Sequence, residues 1–253
     1  MNVVRPTVRE RSVIRVAATD AELAGEVAAY VASAATTAIA ARGRFTIALA
    51  GGNTPKAIYA TLAAPPYAVS VDWRRVLFFF GDERCVAPDD PDSNYGMAET
   101  TLLRPLHIDP HQIFRMHGED PPARAAADYA ETLVRELGDP PVFDLIMLGM
   151  GPDGHTASIF PGSSPVTDDV LIVNAPFVPK LGSYRLTLTP RAINAAREVI
   201  VVTAGEAKAE ALSAVLDGPY DPNTYPVQIV NPRSGTLCWF VDRAALQLVQ
   251  NPV

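Results

Sequence analysis

Residues 143–158 read FDLIMLGMGPDGHTAS, an apolar run typical of a buried strand followed at once by a glycine-rich turn. Two further stretches repeat this arrangement, FTIALAGGNTPK at residues 45–56 and VLFFFGDERC at residues 76–85. In an open α/β sheet, ligands bind beyond the carboxyl ends of the strands. The residues that follow these three apolar runs are therefore the candidates for a functional site.

Short apolar or β-branched runs alternate along the chain with longer alanine-rich stretches. The short runs predict strands at residues 12–17, 45–49, 76–80, 143–148, 197–202 and 236–241. The stretches between them predict helices at residues 21–41, 55–62, 94–103, 123–137 and 206–216. This alternation predicts an α/β fold, an open and mainly parallel sheet with helices on both faces. With no internal repeat or low-complexity linker, we interpret residues 1–253 as a single domain.

Three helix starts carry capping signals. Thr19 with Glu22, and Thr203 with Glu206, match the capping box, in which a threonine hydroxyl and a glutamate carboxylate bind free backbone N–H groups. Thr54, which precedes a proline, is a predicted N-cap.

The composition restricts the class of partner. The 253 residues are 48% hydrophobic and 19% charged, which predicts a folded core, and the formal net charge is −7. A nucleic acid or an acidic membrane needs a basic face, so we expect neither as a partner. No uninterrupted apolar run approaches the roughly 18 residues of a membrane span, and residues 1–16 lack the apolar segment of a secretory signal. We interpret Cys85 and Cys238 as reduced thiols of a cytoplasmic protein.

The first two turns offer groups for an anionic substrate. Gly51 and Gly52 allow close approach of a ligand, and the helix that begins near Asn53 and Thr54 offers free N–H groups, although such a turn can also be purely structural. The candidates in the second turn and the segment after it are Asp82, Glu83, Arg84 and Asn94. There a guanidinium can bind phosphate and a carboxylate can bind sugar hydroxyls, whereas the alternative is a solvated charged turn.

The third turn offers an acid–base group. His155 suits proton transfer at neutral pH, and Asp153 can orient its ring beside Gly154. Further cations that could complete an anion site are Lys180 and Arg185, which flank a predicted turn at residues 181–184, and Lys208 after the fifth predicted strand.

Other motifs are weaker. The pattern G-x-G-x-x-G at residues 149–154 matches a dinucleotide fingerprint, but Pro161 ends any following helix too soon, so nucleotide binding is a minor alternative. His107 and His111 have helical spacing for a metal, but Pro110 lies between them, so we predict no metal site. Neither a P-loop nor a G-x-S-x-G nucleophile motif is present.

Taken together, LAGGNTP, FFFGDERCVAPDDPDSNYGMAETTLL, FDLIMLGMGPDGHTASIFPG and PKLGSYRLTLTPRAIN resemble the 6-phosphogluconolactonase family, within the group that includes glucosamine-6-phosphate isomerase/deaminase. The motifs occur in the family's order from about residue 45 to residue 208. The deaminases carry a glutamate where this chain has Phe160, and a tyrosine where it has Arg84. Both differences favour the lactonase branch.

The resemblance implies hydrolysis of 6-phosphoglucono-δ-lactone to 6-phosphogluconate in the pentose phosphate pathway, without cofactor or metal, by a monomer or weak homodimer. His155 would act as general base and acid, while Asp153 and Asp82 would orient it or contact sugar hydroxyls. The phosphate would lie on the 51–54 turn with Arg84, Arg185 and Lys208. The alternatives are an isomerase/deaminase of an amino-sugar phosphate and a non-catalytic phosphosugar-sensing domain.

Overall fold

The structure, a computed structural model, describes residues 7–250. Its strands are β1 (Val13–Ala17), β2 (Phe45–Leu49), β3 (Val76–Phe80), β4 (Asp82–Arg84), β5 (Leu145–Gly149), β6 (Val173–Asn174), β7 (Phe177–Val178), β8 (Ser183–Leu188), β9 (Glu198–Thr203) and β10 (Thr236–Asp242). Its α-helices are α1 (Asp20–Arg42), α2 (Asn53–Leu62), α3 (Tyr67–Ser70), α4 (Asn94–Ala98), α5 (Pro122–Leu137), α6 (Pro190–Ile193), α7 (Ala209–Asp217) and α8 (Arg243–Leu246). A π-helical turn, Glu99–Leu103, continues α4, and a 3₁₀ turn, Glu206–Lys208, precedes α7.

Six strands form the main sheet, in the order β1-β10-β9-β5-β2-β3, and every neighbouring pair is parallel. All six lie where the apolar runs predict strands, with ends displaced by at most two residues. The predicted α/β class is confirmed.

Side chains along a central strand alternate between two separate hydrophobic clusters. Val199 and Val201 of β9 belong to the cluster that includes α5 and α7, whereas Ile200 and Val202 belong to the cluster that includes α1 and α2. Successive side chains of a strand point to opposite faces, so each face of the sheet carries its own helical layer. This arrangement explains why the central strands are almost continuous apolar runs, and it confirms the prediction of helices on both faces.

The chain changes direction between β2 and β5. From β2 it runs through α2 to β3 at one edge of the sheet, and after α5 it returns to β5 on the other side of β2. The loops after β2 and β5 therefore diverge and leave a crevice between them, which is the usual ligand position in open α/β sheets.

A second, antiparallel sheet was not predicted. It has the order β4-β8-β6, and β7 pairs with β8 beside it. These strands have two to six residues and none of them is a long continuous apolar run, so they give almost no periodic signal. The turn predicted at residues 181–184 extends too far, because β8 already begins at Ser183.

One of the three predicted caps is present. The hydroxyl of Thr19 accepts the N–H of Glu22 at 3.2 Å, and the Glu22 carboxylate accepts the N–H of the neighbouring Ala18 at 2.7 Å. Thr54 is not an N-cap, because α2 begins one residue earlier and Gly52 takes that position. The prediction for Thr203 is also wrong, because this residue belongs to β9 and Gly205 precedes the 3₁₀ turn.

The helix α1 has the length and apolarity of a membrane span, with a mean hydropathy of 1.3 in its most apolar window. The expectation from the sequence, which considered only uninterrupted apolar runs, did not identify it. Its buried positions include Leu23, Val27, Val31 and Ala35, all of which belong to one cluster of the core. A helix that covers a sheet face in this way passes the same test by composition alone.

Candidate active site

A cavity of about 500 Å³ opens at the carboxyl ends of β2, β3, β5 and β9. It is lined by the turn after β2, by β4, by the turn after β5, and by the tip of the β7–β8 hairpin. Of the site residues predicted from the sequence, those that line it are Gly51, Gly52, Asn53, Thr54, Asp82, Arg84, Asn94, Asp153, His155, Lys180, Arg185 and Lys208. Glu83 and Gly154 do not line it.

The turn after β2 brings backbone amides to the cavity. Gly52 has φ +104°, a conformation that L side chains rarely adopt, and it lies directly before the first turn of α2. The first N–H groups of a helix have no partner within the helix, so those of Asn53 and Thr54 are available to an anion. Gly51 is required for a different reason, because a Cβ there would overlap the side-chain amide of Asn94.

Asp82 is held on both carboxylate oxygens. Its Oδ2 accepts the hydroxyl of Ser158 at 2.7 Å, and its Oδ1 accepts the Asn94 side-chain amide at 3.2 Å. The same Asn94 nitrogen donates to the carbonyl of Asp82 at 3.0 Å. The carboxylate is therefore fixed in position at the wall of the cavity.

Glu83 has a structural position behind the cavity. Its carboxylate accepts the backbone N–H groups of Arg84, Asn94 and Tyr95, each at 2.8 Å, and the hydroxyl of Ser93 at 3.1 Å. Burial raises the pKa of Glu83, whereas these N–H donors lower it. The residue fixes the start of α4, and thereby Asn94, instead of facing a substrate.

Two guanidinium groups face each other across the antiparallel pair of β4 and β8, where Arg84 lies opposite Arg185. Arg84 donates to the carbonyl of Asp92, and Arg185 donates to the hydroxyl of Ser183 at 2.6 Å. Burial lowers the pKa of Arg185, and the charge of Arg84 lowers it further. Like charges directly opposite each other on neighbouring strands destabilise a sheet, so this pair favours an anion between or beside the two groups.

The turn after β5 places a histidine between a carboxylate and an aromatic ring. The Nδ1 of His155 lies 2.5 Å from Oδ1 of Asp153, and the other Asp153 oxygen accepts Lys180 Nζ at 3.1 Å. The ring of Phe160 stacks on the imidazole, with centroids 4.4 Å apart. With Nδ1 on the carboxylate, the second imidazole nitrogen, Nε2, is left for a substrate or a water molecule.

Asp153 carries its negative charge at all ordinary pH values. Burial acts to raise its pKa, but the hydrogen bond and charge of His155, together with Lys180, outweigh burial and lower the pKa to about 2.

Lys208 also lines the cavity, and its charge is opposite to that of Asp153. Burial lowers its pKa, and the Asp153 carboxylate partly opposes that effect.

Glycines shape the turn that carries His155. A Cβ at Gly151 would overlap the imidazole of His155, so this position excludes every side chain. Gly154 has φ +72° and packs against Tyr225, which gives it a role in the turn and not in the cavity.

Residues 18–239 match the family described as glucosamine-6-phosphate isomerases/6-phosphogluconolactonase. The human 6-phosphogluconolactonase is 40% identical over 245 residues, which are 94% of either chain. The chain belongs to this family. The 6-phosphogluconolactonase of Haemophilus influenzae is 37% identical over 203 residues, 80% of this chain and 87% of that protein.

Solved structures of the glucosamine-6-phosphate isomerase/6-phosphogluconolactonase family share the fold. The 6-phosphogluconolactonase of Trypanosoma brucei superposes with a TM-score of 0.85 at 30% identity, covering 95% of this chain and 99% of that one. A monomeric glucosamine-6-phosphate deaminase superposes with a TM-score of 0.80 at 21% identity, and that likeness concerns the fold alone. The resemblance inferred from the sequence motifs is confirmed.

Among the residues that line this family member's cavity, Ser158 and Phe160 make contacts with predicted site residues but were not themselves assigned from the sequence. Ser158 binds Asp82, which lies 76 positions away in the chain, so no local pattern could reveal the contact. Phe160 was noted only as a departure from the deaminases, and its stacking on His155 depends on how the turn folds back.

The minor alternatives from the sequence find no support in the described residues. Within residues 7–250, no group of three or more His, Cys, Asp or Glu side chains could hold a metal ion. Cys85 and Cys238 are free thiols, as expected. The glycine-rich pattern at residues 149–154 leads into a compact turn with a bridge between Thr156 and Ile159, not into a helix, so it lacks the nucleotide-binding geometry.

Proposed function

We propose that this chain hydrolyses 6-phosphoglucono-δ-lactone to 6-phosphogluconate. The observation that carries the proposal is the His155–Asp153 pair, which shares one cavity with two facing guanidinium groups and the amino end of α2. A base, an anion site and a fixed carboxylate are the groups that hydrolysis of a phosphorylated sugar lactone requires. The membership of the family and the names of the relatives support the same activity.

The histidine performs the proton transfers of the reaction. With Nδ1 held by Asp153, Nε2 of His155 takes a proton from water as the water oxygen forms a bond to the lactone carbonyl carbon. The tetrahedral intermediate then collapses, the bond from that carbon to the ring oxygen breaks, and the imidazolium returns the proton to the departing oxygen. The products are the open-chain acid and a free hydroxyl group, and no cofactor takes part.

The remaining groups bind the substrate. The phosphate would contact the amides of Asn53 and Thr54 and the side chains of Arg84, Arg185 and Lys208, because charge-assisted hydrogen bonds are the strongest of these contacts. Asp82, with Asn94 beside it, would accept sugar hydroxyls. Lys180, at the tip of the β7–β8 hairpin, would pair with Asp153 and contact the sugar.

The rival activities fit the cavity less well. Ring opening and isomerisation of an amino sugar need a second acid–base group close to the histidine, whereas Phe160 offers only an apolar ring there. A sensing domain would bind 6-phosphogluconate without any acceleration of hydrolysis. The cytoplasmic location, the monomer or weak homodimer and the single domain stay predictions.

The first experiment measures hydrolysis of freshly generated lactone near neutral pH, with a chelator present. The wild type should exceed the spontaneous rate, and His155→Ala should lose about 10²–10⁴-fold in turnover while still binding 6-phosphogluconate. His111→Ala is the control, because this histidine is exposed and lies outside the cavity.

Each other outcome has a definite meaning. A His155→Ala variant with wild-type turnover would remove the histidine from the mechanism. Binding of 6-phosphogluconate by a wild type that does not accelerate hydrolysis would favour the sensing domain. Absence of both binding and hydrolysis would contradict the proposal as a whole.

A further inference from the structure

Ser158 joins two parts of the cavity that come from distant parts of the chain. Its hydroxyl donates to Oδ2 of Asp82 at 2.7 Å, and its backbone N–H donates to the hydroxyl of Thr187 at 3.2 Å. Thr187 in turn lies opposite Asp82 across the β4–β8 pair. Ser158 is thus bound to both members of one cross-strand pair of the antiparallel sheet, and the residue is only 2% exposed.

The same residue is rigidly connected to the histidine. Ser158 is the third residue after His155, and the turn between them is fixed by the hydroxyl of Thr156, which donates to the carbonyl of Gly149 at 2.8 Å. Ala157 has φ +47°, a left-handed conformation that is uncommon for a residue with a side chain. Such a conformation persists only where the surrounding contacts require it, and here it directs Ser158 towards Asp82 while His155 stays on Asp153.

The geometry points to Ser158 as a positioning residue that acts through Asp82. It rests on the function proposed above, in which Asp82 accepts sugar hydroxyls. One oxygen of the carboxylate is occupied by Ser158 and the other is shared with Asn94, so the lone pairs that remain have fixed directions towards the substrate. Ser158 therefore sets the position of the sugar ring, and with it the lactone carbon, relative to His155.

A nucleophilic role for Ser158 is the competing interpretation. A serine nucleophile is normally activated by a histidine that accepts its proton, whereas this hydroxyl donates to a carboxylate that is itself held by Asn94. The position of His155 on Asp153 leaves Ser158 without such a base among its hydrogen-bond partners. The two roles differ in the size of the effect that a substitution produces.

The test is a double-mutant cycle of Ser158→Ala and Asp82→Ala, with kcat and KM for the lactone measured for all four proteins. Ser158→Ala should lower kcat/KM by about 10- to 100-fold, the usual size for a hydrogen bond to a charged group. In the Asp82→Ala background the same substitution should have little further effect, because the carboxylate through which it acts is gone. Ser213→Ala, which removes a single hydroxyl bond to the carbonyl of Leu248, is the matched control and should leave both constants unchanged.

Ser158→Cys is a second variant in case Ser158→Ala folds poorly, because a thiol leaves no cavity at this position and donates only weakly. Its kcat/KM should lie between those of the wild type and Ser158→Ala. Equal, additive losses in both backgrounds would overturn the inference, and a loss of kcat as large as that of His155→Ala that persists in the Asp82→Ala background would identify a nucleophile instead. Failure of the wild type to hydrolyse the lactone would contradict the proposed function, an outcome distinct from either of these.

Discussion

The surroundings of Lys208 disfavour its protonated form, although the proposed phosphate site needs this positive charge. Burial lowers the pKa of this ammonium, and Asp153 restores only part of the difference. A bound phosphate dianion would favour the protonated form, so binding near or above the lowered pKa would be accompanied by proton uptake. The affinity for a phosphosugar then depends on pH on the alkaline side.

The affinity for 6-phosphogluconate should therefore fall as the pH rises. Calorimetric titrations between about pH 7 and about pH 10 should show progressive weakening in the wild type, because the free protein increasingly lacks the Lys208 proton. Lys208→Arg should weaken less over that range, since a guanidinium stays protonated throughout. Identical pH dependence in the two proteins would remove Lys208 from the phosphate site.

Among the elements, the turn that leads from β9 towards α7 shows how a local signal can mislead. Thr203 and Glu206 have the spacing of a capping box, but Thr203 is 1% exposed and its buried hydroxyl has no hydrogen-bond partner in the described part of the chain. The N–H of Gly205 is instead bound by Asp242, at 3.0 Å from each carboxylate oxygen. This carboxylate comes from the end of β10, the neighbouring strand.

Thr203→Val should consequently stabilise the protein, by about 1 kcal/mol, because an unpaired buried hydroxyl is replaced by a methyl group of the same shape. Thr19→Val is the matched comparison and should destabilise by about 1 kcal/mol, since that hydroxyl does cap a helix. Urea unfolding of both variants measures the two changes. Destabilisation by Thr203→Val would mean that this hydroxyl has a partner after all.

For the whole molecule, Asp144 joins elements at the amino ends of the strands, away from the cavity. Its carboxylate, 8% exposed, accepts the N–H of Thr46 from β2 at 2.9 Å and pairs with Arg42 of α1 at 2.8 Å. Arg197, which lies next to β9, is 3.5 Å away. One buried carboxylate therefore connects the first helix with the central strands.

Asp144→Ala should destabilise the fold without changing the chemistry. The two arginines are partly exposed and keep their hydration, so the expected loss is about 2–3 kcal/mol, mainly from the unpaired N–H of Thr46. Denaturant unfolding gives this value, and kcat and KM for the lactone should stay those of the wild type. Asp72→Ala, at an exposed surface ion pair, should have little effect on unfolding. A large loss of kcat in Asp144→Ala would contradict the separation of the two ends of the sheet.

Much of the main sheet could be predicted from the sequence, because its strands other than the edge strand β1 are buried on both faces and the helices α1 and α5 are long. Runs such as residues 76–80 need no partner to be identified, since continuous apolar character is a property of the segment itself. The carboxyl ends of those strands then indicated where His155, Asp82 and the 51–54 turn would meet. The family motifs lie at the same positions.

The tertiary structure alone decided which of these groups act together. Arg84 faces Arg185 only because β4 pairs with β8, and β4 has three residues, too few for any periodic signal. Glu83 lies next to Asp82 in the chain, yet the alternation of the strand turns it towards the start of α4 and away from the cavity. Ser158 meets Asp82 through a turn whose shape depends on contacts from separate elements. The apolar or polar character of a segment follows from its own residues, whereas long-range pairing depends on which segments pack together in the folded chain.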